Sequence, residues 1–88
     1  MNPLEILVLE EVLQLVRRRL PDLQRVTFEQ ELIRDLDFDS LEFAELATAL
    51  ETRLNPRIFR NVAFNGILTV AELCQLCASR VSPESKRG

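Results

Sequence analysis

Ser40 lies in the run Asp35-Leu36-Asp37-Phe38-Asp39-Ser40-Leu41-Glu42, a hydroxyl set among carboxylates and followed at once by good helix formers. A serine that acts as a nucleophile needs a base within hydrogen-bond reach, and the chain has no histidine. Ser40 is therefore read as a group that another enzyme modifies, and the chain as a non-enzyme. Plain helix capping is the ordinary role for such a residue. Its acidic surroundings also allow a helical interaction module regulated by phosphorylation of Ser40.

Two other spacings imitate ligand sets. Asp35-x-Asp37-x-Asp39 opens like a calcium-binding EF-hand loop, but the sixth position needs Gly and holds Ser40, and the twelfth needs a bidentate Glu and holds Leu46. Cys74-Gln75-Leu76-Cys77 is a CxxC with no other cysteine and no histidine to complete a zinc site. A redox pair of this spacing belongs at a strand–helix junction, whereas these cysteines fall inside a helical pattern and read as small buried apolar residues. No metal site is expected.

Composition narrows the partners. Eighty-eight residues make one small domain, and only two glycines favour a helical bundle over a sheet with many turns. Residues 28–52 carry eight acids against Arg34 alone, a local charge of −7, while residues 53–88 carry six bases against two acids, or +4. The acidic middle argues against nucleic acid and for a partner with a basic face. No stretch is long enough to cross a membrane, and the apolar run from Leu4 to Leu9 lacks the basic flank of a signal peptide. With two cysteines and no disulfide framework, a cytoplasmic monomer is expected.

Ser40 needs a helix behind it. Leu41 to Leu54 contains no Gly or Pro, and Phe43, Leu46, Leu50 and Leu54 fall on one stripe that must face a core. Asp39 stands at the N-cap with Glu42 three residues on, as in a capping box, which makes Ser40 the first helical residue. Ser40 shares a polar side with Ala44 and Thr48, and Leu41 points to that side too.

A first helix is expected over Leu4–Leu20, capped by Asn2 with Pro3 in its first position. Its core set is Leu9, Val12, Leu13, Val16 and Leu20; Arg17-Arg18-Arg19 suit the negative end of its dipole as a solvated terminus, and Pro21 stops it. In the long connection 21–39, Thr27-Phe28-Glu29-Gln30 has a capping-box pattern, placing a turn near 28–33. Phe28, Leu32, Ile33 and Leu36 are expected to pin it to the bundle. Pro56 closes the second helix, and a short third follows over Ile58–Phe64 with Asn65-Gly66 as its stop. Thr69 and Glu72 cap a last helix, Val70–Val81, which offers Val70, Leu73, Cys77 and Val81 to the core. The domain covers 1–81, and 82–88 reads as a disordered tail.

This succession of elements, with Asp39-Ser40-Leu41 at the head of an acidic helix, resembles the acyl and peptidyl carrier protein family over residues 4 to 81. Glu45-Leu46, Ala49-Leu50-Glu51 and Thr69-Val70 keep the family's register. The resemblance implies an all-α, four-helix bundle with a long loop between helices one and two and a short helix three. It implies a carrier on which a phosphopantetheinyl transferase, using Mg²⁺, places the 4′-phosphopantetheine of coenzyme A at Ser40. The arm would hold an acyl or aminoacyl group as a thioester, for fatty acid, polyketide or nonribosomal peptide biosynthesis. Loading and condensing enzymes would dock on Asp39, Leu41, Glu42, Ala44, Glu45 and Thr48. A fatty chain would enter between helices two and three, lined by Leu46, Ala47, Leu50, Leu54, Val62, Ala63 and Leu73. Two departures stand out. The family usually has Gly where this chain has Asp37, and its commonly acidic third helix here carries Arg57 and Arg60, with Arg53 just before. These point to a specialised carrier rather than the housekeeping one.

Overall fold

The computed structural model describes residues 2–55, 58–59 and 69–81. Among them are three helices: α1 (Pro3–Arg17), α2 (Ser40–Arg53) and α3 (Val70–Val81). Of the short helix expected at Ile58–Phe64, only Ile58 and Phe59 are described. They form a turn in which the Ile58 N–H donates to the Asn55 carbonyl at 3.1 Å, and both side chains are buried. Residues 60–64, the Asn65-Gly66 stop and the tail 82–88 lie outside the described residues.

α1 is the central strut, packed against both α2 and α3. Asn2 caps it reciprocally: Asn2 Oδ1 accepts from the Glu5 N–H at 2.8 Å, and the Asn2 N–H donates to Glu5 Oε1 at 3.1 Å. The buried face is Val8, Glu11, Val12, Leu15 and Val16. Of the expected set, Val12 and Val16 are buried, whereas Leu9 and Leu13 are only half-buried at the edge of that face and Leu20 is exposed; Val8 and Leu15 complete the face instead. The reason is that α1 is apolar around most of its circumference, so periodicity alone admits several overlapping arcs. Contact with two helices selects one of them. The helix also ends at Arg17, earlier than expected. The Arg18 and Arg19 N–H groups donate to the carbonyls of Leu15 and Val16, a tightening of the last turn that precedes Pro21.

Phe43, Leu46 and Leu50 of α2 are buried as their spacing requires, with Leu54 half-buried beyond the helix end. The two ends of the α1–α2 interface are marked by ion pairs. Arg18 and Arg19 meet Glu45 and Glu42, and Glu11 meets Arg53, so the helices run antiparallel. Glu11 is nearly enclosed, and Arg53 Nη1 donates to its Oε2 at 2.7 Å.

The long connection is tied to α3 at its middle and to Arg19 near its second end. Its Phe28 and Gln30 carbonyls accept from the Ala71 and Val70 N–H groups at 3.0 Å each, which supplies acceptors to the first turn of α3. Thr69 and Glu72 form the expected capping box there. A turn does form at 27–30, where the Gln30 N–H donates to the Thr27 carbonyl at 3.4 Å, but the helical turn follows it at 31–36, with the Asp35 N–H on the Glu31 carbonyl. The Thr27 pattern makes only its back-bond, from the Thr27 N–H to Gln30 Oε1. Leu32 and Leu36, one turn apart, are buried, whereas Phe28 is half-buried and Ile33 is exposed, correcting its assignment as a pin.

That turn closes through Asp37, whose φ of 61° is left-handed and whose N–H donates to the Ile33 carbonyl at 3.1 Å. A residue with a Cβ is strained there, so Asp37→Gly is expected to raise stability by about 0.5 kcal/mol. Asp37→Val should lower it by about 1–2 kcal/mol, both read from urea denaturation midpoints.

On α3, Val70, Leu73, Cys74 and Cys77 are buried, and the two thiols are free. Burial pushes Cys74 up to about 11 and Cys77 to about 12, against an ordinary 9.0. Neither should react with iodoacetamide in the folded protein at pH 8, while both should react in denaturant. Because the folded pKa values are raised, the thiols' contribution to stability is intact below pH 9. It should decline as pH rises from 9 towards 12, as followed by thermal melts.

Candidate functional site

Ser40 is the first residue of α2, and four devices fix its position. Asp39 is extended (φ −113°, ψ −176°), and its Oδ1 accepts from the Glu42 N–H at 2.9 Å. Asp37 supplies the left-handed turn two residues before the cap. Beneath the serine, Phe38 and Phe43 are both buried with ring centroids 5.4 Å apart and planes tilted by 56°, so the residues on either side of Ser40 share one aromatic contact.

Arg19 is the fourth device. Its Nε and Nη2 donate to the two oxygens of Glu42 at 2.9 and 3.0 Å, and Nη2 also donates to the Leu36 carbonyl at 2.8 Å. The guanidinium thereby spans the serine, joining the chain four residues before it to the residue two after it. Its pKa is raised, chiefly by the hydrogen bond to Glu42. This contact explains why the capping box is only half made. Glu42 does not reach back to the Asp39 N–H, because a bidentate, charge-assisted pair with arginine is the stronger bond.

Of the three arginines, Arg17 is exposed in the last turn of α1 as a solvated terminus would be, but Arg18 and Arg19 are not simply that. Arg18 Nη1 donates to Glu45 Oε1 at 2.9 Å, so two of the expected recognition acids are engaged within the chain. Glu42 is also largely enclosed, its side chain only 14% exposed. Nothing in the sequence marks these pairs, since they join residues 23 and 27 positions apart. Phe38 was likewise missed as a core residue, although its place two before Ser40 and five before Phe43 is compatible with a shared inner side.

The remaining expected site residues fall as follows. Leu41 is 67% exposed, and Ala44 and Thr48 are exposed beside it, the Thr48 hydroxyl donating to the Ala44 carbonyl. Of the expected acyl lining, Leu46, Leu50 and Leu73 are fully buried, Ala47 and Leu54 are half-buried, and Val62 and Ala63 lie outside the described residues. Arg53 is engaged by Glu11, and Arg57 and Arg60 are outside the described residues. Among the described residues, no group of three or more Cys, Asp or Glu is arranged to hold a metal ion.

The Ser40 hydroxyl is exposed and makes no hydrogen bond to a described residue. The N–H groups of Ser40 and Leu41, first in the helix, have no intrahelical acceptor. An esterified phosphate on Ser40 would lie at the positive end of the α2 dipole, so the residues present fit an anionic adduct.

Replacing Arg19 with Ala should cost about 1–2 kcal/mol in urea denaturation. Arg19→Lys should recover only part of it, because a point charge cannot span both Glu42 oxygens and the Leu36 carbonyl.

The family model described as phosphopantetheine attachment site matches residues 10–77 of the chain. Neither the curated proteins nor the solved structures provide a match.

Proposed function

Since the chain belongs to the phosphopantetheine attachment family, whose members carry covalently attached 4′-phosphopantetheine, we propose that it is a carrier protein modified at Ser40. One observation carries the assignment: Ser40 is the only serine within the matched residues 10–77, and its hydroxyl is exposed at a helix N-terminus. Ser79, outside the match, donates its hydroxyl to the Leu76 carbonyl.

In this reading the chain positions and presents rather than catalyses. Arg19, Asp39 and the Phe38–Phe43 contact hold Ser40 at the surface, where a phosphopantetheinyl transferase reaches it. The first-turn N–H groups of α2 stabilise the negative charge of the phosphodiester. When attached, the arm supplies a thiol that carries an acyl or aminoacyl group as a thioester. Leu41, Ala44, Glu45 and Thr48 form the face on which biosynthetic enzymes dock, with Asp39 at its serine end. Glu42, held by Arg19, contributes to that face by shaping it more than by offering free charge. A specialised pathway remains our reading of the basic residues Arg57 and Arg60. Arg53 lends it no support, because Glu11 accounts for its charge.

The test is intact-protein mass spectrometry after incubation with coenzyme A, Mg²⁺ and a broad-specificity phosphopantetheinyl transferase. One phosphopantetheine should be added to the wild type and none to Ser40→Ala. A wild type left unmodified under conditions that load other carriers would sink the assignment.

A further inference from the structure

The two arginine–glutamate pairs beside Ser40 differ in kind. Arg19–Glu42 is bidentate, largely enclosed at the carboxylate, and reinforced by the Leu36 carbonyl. Arg18–Glu45 is a single contact whose side chains are 63% and 38% exposed. A pair of the second kind is weakly held and opens readily.

The open pair stands on a surface suited to contact. Arg18, Glu45, Ala44, Thr48 and Ala49 line a shallow depression of about 360 Å³. Leu41, the most exposed large apolar side chain described, stands one helical turn away, since it precedes Ala44 and Glu45 by three and four residues. Asp39, Glu42 and Glu45 adjoin it in sequence, Glu42 held firmly by Arg19 and Glu45 only loosely by Arg18, so a partner that takes over Glu45 needs a cation of its own there.

We propose that Arg18 is a specificity-determining residue for docking beside Ser40: it occupies Glu45 in the unbound protein, and a partner must replace it with a cation of its own. The partner is a carrier-modifying or carrier-using enzyme that offers an apolar socket to Leu41 and a lysine or arginine to Glu45. This rests on the carrier reading above. Until Arg18 is displaced, its charge offsets that of Glu45 and repels the incoming cation. A strongly basic partner overcomes this and a weakly basic one does not, so the internal pair sharpens discrimination at little cost in stability.

The test compares wild type, Arg18→Gln, Glu45→Gln and the double variant as substrates of the same transferase, with coenzyme A and Mg²⁺, at low and high salt. Circular dichroism confirms that each variant is folded. At low salt, Arg18→Gln should raise kcat/KM two- to fivefold, about the free energy held by an exposed ion pair. The gain should appear in KM and vanish near 1 M salt, where screening is strong over about 3 Å. Glu45→Gln should lower kcat/KM, and Arg18→Gln should bring no gain in that background. If Arg18→Gln is neutral or slower, the inference is overturned; so too if its gain persists without Glu45, since Arg18 would then act only through net charge. A wild type that is never modified overturns the carrier reading and this inference with it, whereas a modified wild type with unresponsive variants overturns the inference alone.

Discussion

The guanidinium of Arg19 joins three segments that are apart in sequence: the end of α1, the loop at Leu36 and the first turn of α2. Its planar fork can meet a carboxylate with two parallel bonds while still donating to a carbonyl, a geometry that no other side chain provides. Ser40 lies between the two anchored points, so its exposure is not looseness. The chain on either side is tied to α1, and the Phe38–Phe43 contact holds it from beneath. A hydroxyl that another enzyme must reach is thereby presented from a fixed position.

The same interface is closed at its other end by Glu11 and Arg53. Between the two ion-pair sites the apolar stripes of α1 and α2 meet, with Val12, Val16, Phe43, Leu46 and Leu50 all in the core. Burial supplies the attraction, which is not directional. The charged ends contribute direction, since pairing Arg18 and Arg19 with the start of α2 and Glu11 with its end admits only the antiparallel arrangement. α3 completes the core and is tied to the loop by the Phe28 and Gln30 carbonyls, so the segment that delivers Ser40 is braced against both neighbouring helices.

The acidity of residues 28–52 overstates the free charge beside Ser40. Glu42 and Glu45 are met by cations from α1, and Glu31 lies near Arg34 at 3.6 Å. What the site presents is an exposed leucine with a mixed-charge border, and this combination carries more information for a partner than a uniform field.

Much was legible in the sequence because it depends on neighbours along the chain. Asp39 as the cap of α2, Ser40 as its first residue, the Phe43–Leu46–Leu50 stripe, and the Thr69–Glu72 box with the span Val70–Val81 all follow from spacing and local hydrogen bonding. So does the exposure of Leu41. The family resemblance rested on the same local signals, and the match over residues 10–77 agrees with it. Tertiary structure decided what depends on residues far apart. Val12 and Val16 were legible in the spacing of α1, but its apolar residues surround most of the helix, and only packing against α2 and α3 selected Val8 and Leu15 in place of Leu9, Leu13 and Leu20. The left-handed turn falls on Asp37 because closing the loop requires it, although a Cβ opposes that geometry. The arginines at 17–19 could be assigned to the helix dipole from sequence alone. That Arg18 and Arg19 meet Glu45 and Glu42 follows from the antiparallel packing of two helices, which no local pattern encodes.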